Sequence, residues 1–247
     1  MPSAQNSTNM NRLLLLAAGN GTRMNGSVPD KILAPLAGQP VFLHSLRAFA
    51  RSGTVRQAVL TYRDETQLHA LQSQIPEELH KNLEITYTIG GATRQQSVLA
   101  ALETLPQDTQ LVFVHDAARP LISSKSIQAL HQAAQADGAA ALAHPVSDTI
   151  KRLPQGADLR NAPLEDLQRD RLWAMETPQA LPYADLLTAY RQVEQKQQTV
   201  TDDVAAITAL GKTVTLVANP YPNPKLTAPQ DLPYLENLYS AHDNTDT

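Results

Sequence analysis

Short apolar runs alternate with segments of helical periodicity along most of the chain. The runs have the length of buried β-strands and lie at 13–16, 57–61, 83–88, 111–115, 139–144 and 213–217. Apolar residues recur at helical spacing over 41–51, 65–79, 93–105, 123–136, 182–195 and 201–210. This alternation predicts an α/β fold in three layers, with a mainly parallel, twisted sheet between helices on both faces. In such folds ligands bind beyond the carboxyl ends of the strands.

The alternation fails over 147–179, a charged stretch that contains Pro154 and Pro163 and shows neither helical nor strand periodicity. A long irregular segment within a compact domain is usually functional or disordered. Trp173, the only tryptophan of the chain, indicates that this segment packs against something. We expect a single domain at 13–239, with a disordered leader at 1–12 and a flexible polar tail at 240–247.

Composition and charge exclude several classes of protein. The 247 residues suit one large α/β domain, and 42% hydrophobic with 18% charged residues is a globular mixture. The net charge of −4 disfavours a nucleic-acid partner, which would meet a basic face. No run reaches the roughly 18 apolar residues of a membrane helix, and the N-terminus does not read as a signal peptide. The absence of cysteine excludes thiolate sites and suits a cytoplasmic location.

The first candidate for chemistry is AAGNGTRM at 17–24, directly after a predicted strand. It departs from a dinucleotide-binding fingerprint because Met24 occupies the third glycine position. Arg23 and Lys31 flank the polar loop that follows, and two cations beside backbone amides suit a triphosphate. A tight turn with solvated surface charges is the alternative.

Two further candidates follow other strands. In GGATRQQSV at 90–98, paired glycines precede a helix whose first turns carry Arg94 and Ser97, which could hold a base or sugar; a structural brace is the equal alternative for Arg94. In VHDAARP at 114–120, a buried strand ends at Asp116, and a carboxylate near phosphates suits Mg²⁺. We interpret His115 as structural, since no second histidine lies at zinc-ligand spacing.

Together these motifs resemble the 2-C-methyl-D-erythritol 4-phosphate cytidylyltransferases of the non-mevalonate isoprenoid pathway. The same order continues through VSDTIKR at 146–152, RDRLW at 169–173, TPQ at 177–179, TDD at 201–203 and NPKLTAPQDL at 223–232. VHDAARP and the VSDTIKR–RDRLW pair are the most specific, whereas AAG-x-G-x-R-M is common among sugar-nucleotide transferases. The resemblance implies a Rossmann-like nucleotidyltransferase fold with a protruding dimerisation arm at about 147–175.

The resemblance also implies an activity: transfer of CMP from CTP to a polyol phosphate, with release of pyrophosphate. Arg23 and Lys31 would be catalytic cations, and Asp116 would hold Mg²⁺ or another divalent cation. The substrates would contact Ala17, Ala18, Gly19, Gly91 and Ser97 around the cytidine, and Arg119, Thr149, Arg169 and Lys225 around the acceptor. Because Thr149 and Arg169 fall in the arm, they would complete the site of a second subunit in a homodimer.

Two departures from the family pattern qualify this resemblance. The loop before Lys31 is one residue longer than usual, with Asp30 between proline and lysine, and Ala92 replaces an acidic residue that touches ribose. Three alternative functions stay open at this point: a ribitol-5-phosphate cytidylyltransferase of the same fold, an NAD-binding oxidoreductase, which Met24 disfavours, and a non-catalytic nucleotide-binding protein.

Overall fold

The computed structural model describes residues 10–19, 21 and 30–242. Its strands in this part of the chain are β1 (Arg12–Leu16), β2 (Pro35–Leu36), β3 (Gln39–Pro40), β4 (Gln57–Tyr62), β5 (Glu84–Ile89), β6 (Leu111–Asp116), β7 (Ala140–Pro145), β8 (Lys151–Arg152), β9 (Glu165–Asp166), β10 (Trp173–Pro182) and β11 (Thr215–Ala218). Its helices are α1 (Val41–Ser52), α2 (Glu65–Gln74), α3 (Glu77–His80), α4 (Arg94–Leu102), α5 (Ser124–Asp137), α6 (Tyr183–Gln195), α7 (Asp203–Thr208) and α8 (Asp231–His242).

Seven of the described strands form one sheet in the order β11-β7-β10-β6-β1-β4-β5. Strand β1 pairs in parallel with β4 and β6, β4 with β5, and β7 with β11. Strand β10 runs antiparallel between β6 and β7. The register places Leu16 opposite Thr61 on one side and Asp116 on the other, so three strands end level at the same edge. The predicted mainly parallel sheet is confirmed.

Alternation along β1 shows how the sheet is covered. Leu13 and Leu15 belong to one buried apolar cluster together with residues of α1 and α5, whereas Leu14 belongs to a second cluster with residues of α4, α6 and α7. Successive side chains of a strand point to opposite faces, so helices lie on both sides of the sheet. The three-layer prediction is therefore confirmed.

The structure differs from the predicted elements at four places. Strand β10 lies where no period was found, because it contains two prolines and is buried on both faces. The helix expected over 65–79 is two helices, since Pro76 interrupts it as the N-cap of α3. Helix α8 was not predicted, and it extends through 240–242 of the expected tail. Strand β1 begins at Arg12, the last residue of the expected leader.

The arm leaves the sheet between β7 and β10, and its expected last residues, 173–175, belong to β10. Strands β8 and β9 form an antiparallel pair within it, with ion pairs from Lys151 to Asp166 and from Arg152 to Glu165. The amide of Val146 donates to the Leu172 carbonyl at 3.1 Å and closes its base. Three leucines of the arm are exposed, namely Leu153, Leu159 and Leu164.

Among the described residues, no helix combines the length and apolar character needed to span a membrane.

Candidate active site

A cleft of about 570 Å³ opens at the carboxyl ends of β1, β4, β5 and β6. Eight of the residues expected at the active site line it: Ala17, Ala18, Gly19, Lys31, Gly91, Ser97, Asp116 and Lys225. Arg63, Arg94 and Thr227 line it as well. Arg23 lies outside the described residues. The cleft is the place where the sheet edge meets the loops that follow each strand, as expected for this class of fold.

The loop after β1 is held by a buried hydroxyl of the neighbouring strand. Thr61 Oγ1 accepts hydrogen bonds from the amides of Ala17 at 3.0 Å and Ala18 at 3.3 Å. Thr61 is the last residue of β4 that pairs with β1. The end of β4 therefore fixes the loop that follows β1. The backbone of 17–19 thereby has a defined course along the cleft wall.

The paired glycines allow two loops to touch. A Cβ at Gly90 would lie 2.4 Å from the Ala18 Cβ, and one at Gly91 would lie 2.3 Å from the Gln96 Cβ. The amide of Gly91 donates to Ser97 Oγ at 3.1 Å. The close approach that these glycines permit is therefore, in the first place, an approach of the chain to itself.

Arg94 is a structural brace that also reaches the cleft. Its guanidinium bonds both carboxylate oxygens of Asp203, at 3.2 and 2.7 Å, and its Nε lies 3.4 Å from Asp116 Oδ1. Asp203 has no exposed side-chain surface, and its Oδ1 also accepts from the Tyr190 hydroxyl at 2.5 Å. Burial alone would lower the pKa of Arg94, but Asp203 and Asp116 outweigh it and raise that pKa, so the guanidinium stays charged.

Asp116 ends β6 with an ionised carboxylate. Its Oδ2 accepts from Lys225 Nζ at 2.6 Å, and its amide donates to Thr177 Oγ1 at 3.1 Å. Burial would raise the pKa of Asp116, but the positive charges of Arg94 and Lys225 hold it well below its usual range.

This carboxylate fits the modest demand of Mg²⁺, which is commonly bound through one or two carboxylates with substrate phosphates as further ligands. The described part of the chain contains no cluster of three His, Asp or Glu residues suited to a metal. A metal held at Asp116 would therefore take its other ligands from phosphate oxygens and water.

His115 is a structural residue within β6. It is fully buried, and its Nδ1 lies 3.1 Å from Thr177 Oγ1 while its Nε2 lies 3.2 Å from the Arg119 carbonyl oxygen. Burial lowers the pKa of His115 to about 4, so the ring is neutral at physiological pH. A neutral ring that accepts at Nδ1 and donates at Nε2 satisfies both contacts.

Arg119 lies beside the cleft, and the loop after β11 holds it there. Its Nη1 donates to the Asn223 carbonyl at 2.7 Å, and burial lowers its pKa. The Asn223 side chain donates to the Glu176 carboxylate at 3.0 Å and to the Thr177 carbonyl at 2.8 Å. His144 Nδ1 lies 2.6 Å from the same carboxylate. No pattern in the sequence marks Glu176, because this cluster joins residues from three distant segments.

The two expected substrate residues of the arm lie apart from the cleft of their own chain. Thr149 and Arg169 are exposed, and neither belongs to the described residues that line it. Arg169 Nη1 donates to the Ser147 carbonyl at 2.7 Å, which fixes the guanidinium against the start of the arm.

Comparison with known proteins decides the family. The family model for 2-C-methyl-D-erythritol 4-phosphate cytidylyltransferase matches residues 12–239. The chain belongs to this family. The cytidylyltransferase of Pelotomaculum thermopropionicum is 40% identical over 92% of this chain and 93% of its own length. The chloroplastic rice enzyme is 36% identical over 92% of this chain and 73% of its own length.

Solved structures confirm the nucleotidyltransferase fold. The 4-diphosphocytidyl-2C-methyl-D-erythritol synthase of Anaerococcus prevotii has a TM-score of 0.78 at 21% identity, over 93% of this chain and 98% of its own. The 2-C-methyl-D-erythritol 4-phosphate cytidylyltransferase of Thermus thermophilus has a TM-score of 0.73 at 29% identity, with the same coverage. The resemblance found in the sequence is thus confirmed.

Proposed function

We propose that the chain transfers CMP from CTP to 2-C-methyl-D-erythritol 4-phosphate, giving 4-diphosphocytidyl-2-C-methyl-D-erythritol and pyrophosphate, in isoprenoid precursor biosynthesis. One observation carries the proposal: in a chain of this family, Lys31, Asp116 and Lys225 line one cleft with the loops at 17–19 and 91–97. Nothing in the comparisons favours ribitol 5-phosphate as the acceptor.

The chemistry needs no catalytic base. The acceptor is a phosphate monoester with a second pKa of about 6, so it is mostly a dianion at neutral pH. The obstacle is repulsion between this dianion and a nucleotide triphosphate. Catalysis therefore consists mainly of positioning and of stabilising negative charge by groups fixed in advance.

The charged side chains have different roles in the proposed reaction. Lys31, together with Arg23, stabilises the charge that develops on the triphosphate and on the departing pyrophosphate. Lys225 attracts the acceptor phosphate as a point charge, and Arg169 suits bidentate phosphate capture. Mg²⁺ held by Asp116 would supply further positive charge at the phosphate oxygens. The segments 17–19 and 91–97 provide the walls for the cytidine.

Pyrophosphate release tests the function directly. The assay uses each of the four ribonucleoside triphosphates with 2-C-methyl-D-erythritol 4-phosphate or ribitol 5-phosphate, with and without Mg²⁺. We expect release only with CTP, methylerythritol phosphate and Mg²⁺ together. Equal rates with ribitol 5-phosphate, or with another nucleotide, would overturn the assignment.

We further propose that the arm completes the site of a second subunit in a homodimer. The support is that Arg169 and Thr149 are exposed on an arm that also exposes Leu153, Leu159 and Leu164. Mixing the variants Lys31→Ala and Arg169→Ala tests this. A mixed dimer then contains one site with an intact cleft and an intact arm, so at low acceptor concentration the mixture should be more active than the two variants assayed separately. No recovery in a demonstrated mixed dimer would contradict the shared site.

The absence of cysteine supports a cytoplasmic location. Fractionation of expressing cells, with immunodetection of the chain, tests this location. Recovery in the membrane or exported fraction would contradict it.

A further inference from the structure

Asp30, the residue before Lys31, has a buried and fully engaged carboxylate. Its side chain is 7% exposed. Oδ1 accepts from the amide of Ile32 at 3.1 Å, and Oδ2 accepts from Gln67 Nε2 at 2.5 Å and lies 3.5 Å from Arg63 Nη1. The backbone that carries Lys31 is therefore tied on its N-terminal side by a side chain from another element.

Gln67 connects this segment to two other loops of the cleft. It lies on α2 and is 2% exposed. Its Nε2 also donates to the Ala17 carbonyl at 3.1 Å, and its Oε1 accepts from the Arg63 amide at 2.6 Å. A primary amide has two donors and one acceptor oxygen, and here both sides of the group are used. One side chain thus joins the loop after β1, the loop after β4 and the segment before Lys31.

The N-cap of helix α2 does not depend on the Gln67 side chain. Helix α2 begins at the N-cap Asp64, whose Oδ1 accepts from the backbone amide of Gln67 at 2.9 Å, a bond that does not need the side chain. The same helix packs into the core through Leu71. Replacing the amide by a leucine side chain therefore keeps the cap and the helix propensity and removes the links between loops.

We propose that Gln67 is a positioning residue for Lys31, acting through Asp30 to set where the ammonium lies relative to the loop at 17–19. This inference rests on the proposed function, in which Lys31 acts on the triphosphate. A lysine has a flexible four-carbon stem, so the position of its charge depends on a fixed backbone. Displacement of a catalytic group by about 1 Å can cost about 100-fold in rate.

A double-mutant cycle tests the inference. We expect Gln67→Leu to lower kcat about 10-fold to 100-fold. In the Lys31→Ala background the same change should have almost no further effect, because the charge that it positions is gone. Gln72→Leu, on the exposed side of the same helix, is the matched control and should keep wild-type kcat. Thermal unfolding accompanies each variant.

Asp30→Asn enters the same cycle in case Gln67→Leu does not fold. It leaves Gln67 in place but replaces one of the two accepting oxygens of Asp30 by an NH2 donor, so Ile32 N and Gln67 Nε2 can no longer both be satisfied. It should lower kcat only when Lys31 is present. Additive losses with Lys31→Ala, or wild-type kcat in Gln67→Leu, would overturn the positioning role while the wild-type transfer reaction stands. Normal turnover of Lys31→Ala would also overturn it. Absence of CMP transfer by the wild-type chain would instead contradict the proposed function.

Discussion

Lys225 Nζ lies 2.6 Å from Asp116 Oδ2, so two residues proposed for different ligands are bonded to each other. Asp116 is proposed to hold the metal, and Lys225 to attract the acceptor phosphate. The other carboxylate oxygen lies 3.4 Å from Arg94 Nε. The Asp116 carboxylate is therefore the shared ion-pair partner of Arg94 and Lys225.

Replacing Asp116 by asparagine should abolish most of the activity. The change removes the charge of the proposed metal ligand and leaves Arg94 and Lys225 without their common counter-ion. We expect the rate of pyrophosphate release to fall at least about 100-fold and the Mg²⁺ concentration for half-maximal rate to rise. Asp108→Asn, at an exposed site, is the control. An unchanged Mg²⁺ dependence would rule out Asp116 as the metal ligand.

The pH dependence of the reaction should not contain the titration of Asp116. Because Arg94 and Lys225 outweigh burial and lower its pKa, the carboxylate stays ionised far below neutral pH. Its contribution to stability is fully present above the unfolded pKa of about 4 and is lost only below it. Rate profiles from about pH 5 to about pH 9 should therefore follow the acceptor phosphate, with an inflection at about 6. An acidic limb that disappears in the Asp116→Asn variant would contradict this.

Lys31→Ala should lower turnover strongly. Its Nζ lies in the cleft and donates to the Leu226 carbonyl at 3.2 Å. Loss of one fixed group that stabilises transition-state charge costs about 3 kcal/mol, which is about 100-fold in kcat. Steady-state kinetics with CTP and methylerythritol phosphate measures the effect, and Lys81→Ala, at an exposed position, serves as the control. Near-normal kcat would show that another cation performs this role.

Arg169→Ala should weaken the acceptor far more than the nucleotide. We expect KM for methylerythritol phosphate to rise about 10-fold or more, because a charge-assisted bidentate contact is lost. KM for CTP should change by less than about two-fold. Arg171→Ala, two residues further along the same exposed turn, is the matched control. Equal effects on both KM values would count against a role in acceptor binding.

Stability should fall as the pH is lowered from about 6.5 to about 4. Burial lowers the pKa of His115 to about 4, whereas an unfolded histidine titrates near 6.5, so between these values the unfolded chain binds a proton that the folded chain excludes. Over this range the effect amounts to about 3 kcal/mol. Urea unfolding at pH 7 and pH 5 measures the part of this effect that is present at pH 5, about 2 kcal/mol, and the difference should shrink in His115→Gln. The same difference in that variant would exclude His115 as its source.

The short hydrophobic runs in the sequence were enough to predict β1, β4, β5 and β6, the strands whose carboxyl ends form the cleft. Strand β10 was missed because a strand buried on both faces shows no alternation, and its prolines imitate a loop. The sequence also offered no way to choose between a ligand and a brace for Arg94. Its partner Asp203 lies 109 residues away, and the two meet only because α4 and α7 both pack against α6. Gln67 and Glu176 were missed for the same reason.

For Gly90 and Gly91, the predicted close approach of the backbone was correct, but the expected reason for it was incomplete. Their placement after strands predicted a close backbone approach, and a ligand was the expected neighbour. The structure shows that Gly90 lies against Ala18, where any side chain would collide with the loop after β1. The loops that form the cleft wall must themselves fit together before a ligand can be held.

A crystal structure with CTP and Mg²⁺ bound would show whether this cleft holds the nucleotide. We expect the triphosphate within hydrogen-bonding distance of Lys31 Nζ, the metal bound to Asp116, and the cytidine between the loops at 17–19 and 91–97. A polyphosphate bound away from both Lys31 and Asp116 would contradict it.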